Sequence, residues 1–213
     1  MKRFFSSDSI AIRLLTAFCN IMLINVLFIF TSIPLFTIGA GITAMYSTIF
    51  KWTRGEDPAI TKTYFATFKE NFKQATQVWI PFLIFIISLS VSLYFTHNNL
   101  DESYKFMQYP ISIALFLLIC IINYIFPQIA IFKQKSSIII RNACLLALAN
   151  FPTTFLMIIL PVILFLIAGY SGLMTVRVLS ILLFFGIALI TYFYSIFLRR
   201  IFNKLIENED EWI

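Results

Sequence analysis

Long apolar stretches, each free of Asp, Glu, Lys, Arg and His, alternate along this chain with short charged ones. The first runs from Leu14 to Phe50, 37 residues. The others are Gln74–Thr96, Phe106–Phe132, Asn142–Val176 and Val178–Leu198. Each reaches the length of about 20 apolar residues that a helix needs to cross a hydrocarbon core of about 30 Å. The first is too long for one crossing, because at about 1.5 Å per residue it would extend about 55 Å. The stretches are continuous rather than alternating, which excludes the pattern of an outer-membrane barrel. A helix satisfies its own backbone polar groups in lipid. The pattern therefore predicts an all-α polytopic transmembrane bundle forming a single membrane domain over 1–213.

How the first stretch folds sets the topology. Pro34 lacks an amide donor and disfavours helix at the residue before it. A turn near Ser32–Leu35 gives a helical hairpin and six spans, at about 14–33, 35–53, 79–96, 108–132, 143–168 and 175–199. One long tilted span over Leu14–Ile38, or a re-entrant second arm, gives five. Lys and Arg should accumulate on the cytoplasmic side. Six spans with both termini cytoplasmic place 14 of the 16 basic residues inside, leaving only Lys105 and Arg177 outside. Five spans move Lys2, Arg3 and Arg13 outside, so six is the preferred reading.

Between the second and third spans the periodicity changes. Asp57-Pro58 suits a helix start. Ile60, Tyr64, Phe68, Phe72, Ala75 and Trp79 then recur every three or four residues, with Lys62, Lys69 and Lys73 on another side. This predicts an amphipathic cytoplasmic helix over about 58–78, lying in the membrane surface and bending near Trp79-Ile80-Pro81. Its lysines, with Lys133, Lys135 and Arg141 of a later loop, face lipid headgroups or a cytoplasmic partner.

Composition adds weight. Hydrophobic residues are 60% and charged residues 12%, about half the ordinary charged share. Lys2 and Arg3 resemble the start of a secretory signal, but the apolar stretch far exceeds a signal's apolar core and reads as an uncleaved anchor. The net charge of +6 follows from the inner basic loops and anionic lipid, and calls for no nucleic acid. Cys19, Cys120 and Cys144 are far apart and read as small apolar residues.

No ionisable side chain sits near the middle of a span, which disfavours a buried proton or sodium relay. The intramembrane polar residues are amides: Asn20, Asn25, Asn123, Gln128 and Asn150. They read as contacts between helices, the alternative being the lining of a permeation path. The acidic tail Glu207–Glu211 reads as a solvated end. His97, Asp101 and Glu102 match no metal motif. Neither a phosphate loop nor a nucleophile–base pair is visible, so no catalytic residue, metal or cofactor is expected. Ala40 and Ala44 would let a helix approach closely, in this chain or in a second copy.

Several segments together resemble a known family. They are Pro34-Leu35-Phe36-Thr37-Ile38-Gly39-Ala40, Thr43-Ala44-Met45-Tyr46, Lys51-Trp52-Thr53-Arg54-Gly55-Glu56-Asp57, and Phe65 through Gln74. Asn150-Phe151-Pro152 adds a later element. This set resembles the YesL family of small bacterial integral membrane proteins, whose function is undefined. The resemblance implies a multi-pass protein of a Gram-positive cytoplasmic membrane, encoded near carbohydrate uptake and degradation systems. It supplies no catalytic residues. The expected function is thus a non-enzymatic accessory of an ABC-type carbohydrate uptake system, with a transporter or channel for a neutral solute as the alternative.

Overall fold

The computed structural model describes residues 10–56, 59–99 and 102–210. Lys2, Arg3, the Asp57-Pro58 helix start, Asp101 and Glu211 lie outside them. The described residues are helical, without strands. The helices are α1 (Ile10–Thr31), α2 (Ile38–Thr53), α3 (Ile60–Asn99), α4 (Gln108–Ile131), α5 (Ser136–Ala149), α6 (Phe151–Tyr170), α7 (Gly172–Ile181) and α8 (Ile187–Asp210). A π turn, Leu182–Gly186, joins the last two.

Among the described residues, five helical stretches are long and apolar enough to cross a membrane: Ile10–Thr31, Ile60–Asn98, Tyr104–Ile131, Phe151–Tyr170 and Gly172–Leu205. Their outward faces are apolar. Phe165 is 78% exposed and Leu166 65%, an exposure that water would penalise and lipid would not. The chain is a polytopic helical membrane bundle.

The second of the six expected spans differs from the rest. At 16 residues, α2 extends only about 24 Å, short of the hydrocarbon core. It is also enclosed by the protein. Eleven of its residues, Gly39–Gly41 and Thr43–Phe50, are buried. Small side chains make that possible. A Cβ on Gly39 would lie 2.7 Å from the Trp79 Cβ and 2.8 Å from the Phe126 ring. Ala40 and Ala44 are wholly buried within the chain's own core, so they do not offer a contact surface for a second copy.

The hairpin before α2 has a specific closure. Pro34 adopts extended backbone, φ −76° and ψ 117°. The Thr37 hydroxyl donates to the Thr31 carbonyl, left without a helical partner, at 2.5 Å, and to the Pro34 carbonyl at 2.6 Å. The Trp79 indole N–H donates to the Leu35 carbonyl at 2.8 Å. Beyond the turn α2 runs antiparallel to α1, with Gly41 against Phe28.

The amphipathic helix expected over 58–78 is not separate from the third span. α3 is one 40-residue helix that runs unbroken through Pro81. Its residues 60–79 lie antiparallel to α2, with Gly39 against Ala75 and Trp79 and Ser47 beside Thr67. The expected apolar stripe is therefore covered by protein rather than by the membrane surface: Ile60, Tyr64, Ala75 and Trp79 are buried, and Phe68 and Phe72 pack against the core. The expected fifth span is likewise divided, at Asn150. Pro152 lies in the first turn of α6, where a missing N–H costs nothing. The Thr154 hydroxyl donates to the Ala147 carbonyl at 2.9 Å across the break.

The core has two parts. Phe126, Tyr124, Tyr194, Leu198 and Phe202 join α4 and α8 to α2 and α3. Ile24, Phe28, Met45, Ile49, Ile60, Tyr64 and Ala188 fill the space between α1, α2, α3 and α8.

Candidate functional site

Lys51 and Arg54 end α2, where cations complement the negative end of a helix dipole. Thr67, Glu70 and Asn71 project from one face of α3, at the three- and four-residue spacing that puts them side by side. Lys133 follows the last turn of α4. These elements enclose a polar cavity of about 280 Å³, lined by Ser47, Lys51, Arg54, Thr67, Glu70, Asn71 and Lys133 together with Phe50 and Ile129–Ile131. Two of the segments that carry the family resemblance, Lys51–Asp57 and Phe65–Gln74, thus contribute to one pocket, through Lys51 and Arg54 and through Thr67, Glu70 and Asn71.

Ser47 and Thr67 form the buried part of the wall, each 5% exposed, with hydroxyl oxygens 3.2 Å apart. One donates to the other, so one hydroxyl proton remains to offer. The Asn71 amide donates to the Thr67 carbonyl at 3.2 Å, which leaves its oxygen as an acceptor. The Lys133 ammonium lies 3.2 Å from the Glu70 carboxylate, both well exposed, and the Arg54 guanidinium lies 3.9 Å from Glu56. Exposed pairs of this kind contribute little to stability. Lys51 has no carboxylate within ion-pair distance among the described residues.

Around the pocket the backbone is fixed. The Arg199 guanidinium on α8 donates to the Thr53 carbonyl at 3.0 Å, capping α2. The Gln74 amide donates to the Gln134 carbonyl at 2.7 Å, holding the α4–α5 connection against α3.

The basic residues expected to face lipid or a partner are all exposed. Lys62, Lys69 and Lys73 lie along α3, Lys133 and Lys135 in the α4–α5 connection, and Arg141 on α5 rather than in a loop. The intramembrane amides are scattered. Asn25 is wholly buried and bonds across to the π turn, donating to the Leu182 and Leu183 carbonyls at 3.0 and 2.7 Å and accepting from the Ala188 N–H at 2.9 Å. Asn123, Gln128 and Asn150 donate to carbonyls four residues back in their own chain segments, those of Ile119, Tyr124 and Leu146. Asn20 is half-buried on α1. Asn123 lines a cavity of about 160 Å³ with Tyr46, Thr191 and Tyr194, which contains none of the other four amides. Among the described residues no three His, Cys, Asp or Glu side chains are grouped as metal ligands.

The sequence alone does not reveal the pocket, because its residues fall on separate elements: a span end, the 58–78 helix and the connection after α4. The signal was present in the clustering of the resembling segments on both sides of the α2–α3 connection.

Comparison with known proteins places the same region in relief. No solved structure matches the chain. It is 25% identical over 174 residues to an uncharacterized protein, YteU, of Bacillus subtilis (strain 168), covering 79% of this chain and 74% of that one. Residues 21–93 match the model of a family described as protein of unknown function, DUF624. The matched stretch holds the end of α1, all of α2 and most of α3, and with them every pocket residue except those of α4 and Lys133.

Proposed function

We propose that this chain is a non-catalytic accessory protein of the bacterial cytoplasmic membrane that serves an ABC-type carbohydrate uptake system. The observation that carries the reading is its basic end. Lys62, Lys69 and Lys73 share one exposed face of α3, and Lys133, Lys135 and Arg141 are exposed on the α4–α5 connection and α5, with Lys133 in the pocket wall. The apolar face of 60–79 is occupied by α2, so a partner would be engaged through these charges rather than by a helix laid into a groove. The resemblance to the YesL family supports the carbohydrate context and the Gram-positive membrane. The orientation, basic end toward the cytoplasm, rests on the distribution of Lys and Arg. The reading as a channel for a neutral solute has less support, because four of the five amides that would line a path, Asn25, Asn123, Gln128 and Asn150, are committed locally or to the π turn.

A photo-crosslinker at Lys69 or Lys73, used in native membranes, tests this. Subunits of a sugar importer should be captured. Capture of lipid alone would remove the reading.

A further inference from the structure

We propose that the pocket between α2, α3 and the end of α4 binds a phosphate-bearing ligand, with Lys51 and Arg54 as its charged anchors and the Ser47–Thr67 hydroxyl pair as its buried donor. Three cations and one carboxylate line the cavity, a formal charge of +2. The last turns of α2 and α4 also face it, and each helix end carries about half a negative charge. Those two ends offset about one unit and Glu56, 3.9 Å from Arg54, part of another, so the positive character the cavity keeps lies at Lys51. The α2 end is moreover already capped, its last carbonyls bonded to the Arg54 and Gly55 N–H groups and to Arg199. Lys51 is therefore not needed to satisfy the α2 carbonyls.

The wall supplies what an anion's oxygens require. Lys51 and Arg54 provide charge-assisted donors, which are the stronger kind. The uncommitted hydroxyl proton of the Ser47–Thr67 pair adds a neutral donor from a site that is 5% exposed. Glu70 holds Lys133 at one side, and the Asn71 oxygen is an acceptor suited to a hydroxyl on the same ligand. A volume of about 280 Å³ exceeds that of phosphate alone and admits a phosphorylated small molecule or a phospholipid headgroup. Both share the recognised phosphate.

The experiment uses the full chain in nanodiscs. In zwitterionic lipid, inorganic phosphate and a hexose phosphate are titrated calorimetrically. In a second arm, binding of phosphatidylglycerol is measured by native mass spectrometry. Saturable binding in the first arm identifies a soluble ligand, and selective retention in the second a headgroup. Lys51→Gln and Arg54→Gln should each weaken the observed binding about tenfold or more, the effect of removing a charge-assisted bond. Arg177→Gln, on α7 and outside the cavity wall, should leave it unchanged. Absence of binding in both arms would overturn the proposal. So would equal weakening by Arg177→Gln, or no weakening by the two pocket variants. The result is separate from the docking reading: phosphate bound without a crosslinked importer removes only the latter, and the converse removes only the former.

Discussion

Replacing Asn25 with Leu should cost more than any comparable change at the other intramembrane amides. The wider π turn at Leu182–Gly186 displaces the usual helical bonding at the start of α8. Asn25 supplies the missing partners from α1: two donors to the Leu182 and Leu183 carbonyls and an acceptor for the Ala188 N–H, all between 2.7 and 3.0 Å. Leu keeps the branched skeleton of Asn but is bulkier, so the loss of three bonds at a wholly buried site is joined by some overpacking. At about 0.6–1.5 kcal/mol each, the loss amounts to about 2–4 kcal/mol. Asn25→Asp should be at least as harmful, because a carboxylate would face two carbonyls at donor distance. Unfolding in mixed micelles, or steric trapping in bicelles, measures the change. Asn123→Leu is the reference, since its amide serves only the Ile119 carbonyl of the same helix. It should change stability by no more than about 0.5 kcal/mol. An Asn25→Leu protein within that same range would refute the assignment of Asn25 as the partner of the π turn.

Three further outcomes follow from the α1–α2–α3 packing. Gly39→Ala should destabilise the fold by about 1–3 kcal/mol, because its Cβ would press on the Trp79 Cβ, the Phe126 ring and, at 3.1 Å, the Ala75 carbonyl. Gly169→Ala, with nothing within 4 Å, should be neutral in the same denaturation assay. Trp79→Phe should cost about 1 kcal/mol through loss of the indole bond to Leu35, and limited proteolysis should then cut more readily near Ser32–Thr37. In a chain cleared of Cys19, Cys120 and Cys144, Ile33→Cys should react with an impermeant maleimide added outside the cell. Labelling only from the cytoplasmic side would reverse the orientation inferred from Lys and Arg.

The role of α2 changes how the chain should be viewed. A short helix of small and hydroxyl-bearing residues sits against α1, α3, α4 and α8. Its own Thr43 and Thr48 hydroxyls donate to carbonyls four residues back, so it brings few unmet polar groups into the interior. It delivers Ser47, Lys51 and Arg54 to the pocket, which makes the packing of Gly39 and the chemistry at Lys51 two ends of one element.

The sequence by itself determined that this is a helical membrane bundle. Lengths of uncharged residues are enough, because backbone satisfaction in lipid leaves helices as the form such stretches take. It also showed the charged segments and the clustering of the resembling motifs around the α2–α3 connection. Only the tertiary structure decided which apolar helix faces lipid and which faces protein. Lipid tails are as apolar as a packed core, so an uncharged stretch does not say which of the two it will meet: α2 is enclosed, and Phe165 on α6 lies bare. The same ambiguity hid the fate of the Ile60–Trp79 stripe, whose spacing fits a bilayer surface or a neighbouring helix equally well and which α2 in fact covers. Asn25 and Asn123 are one residue type in similar surroundings by sequence. The π turn 157 residues or more away gives the first a structural task and leaves the second bonded to its own helix. The pocket, too, exists only because the antiparallel pairing of α2 with α3 brings Ser47 to Thr67 and the α4–α5 connection, held on α3 by Gln74, sets Lys133 against Glu70.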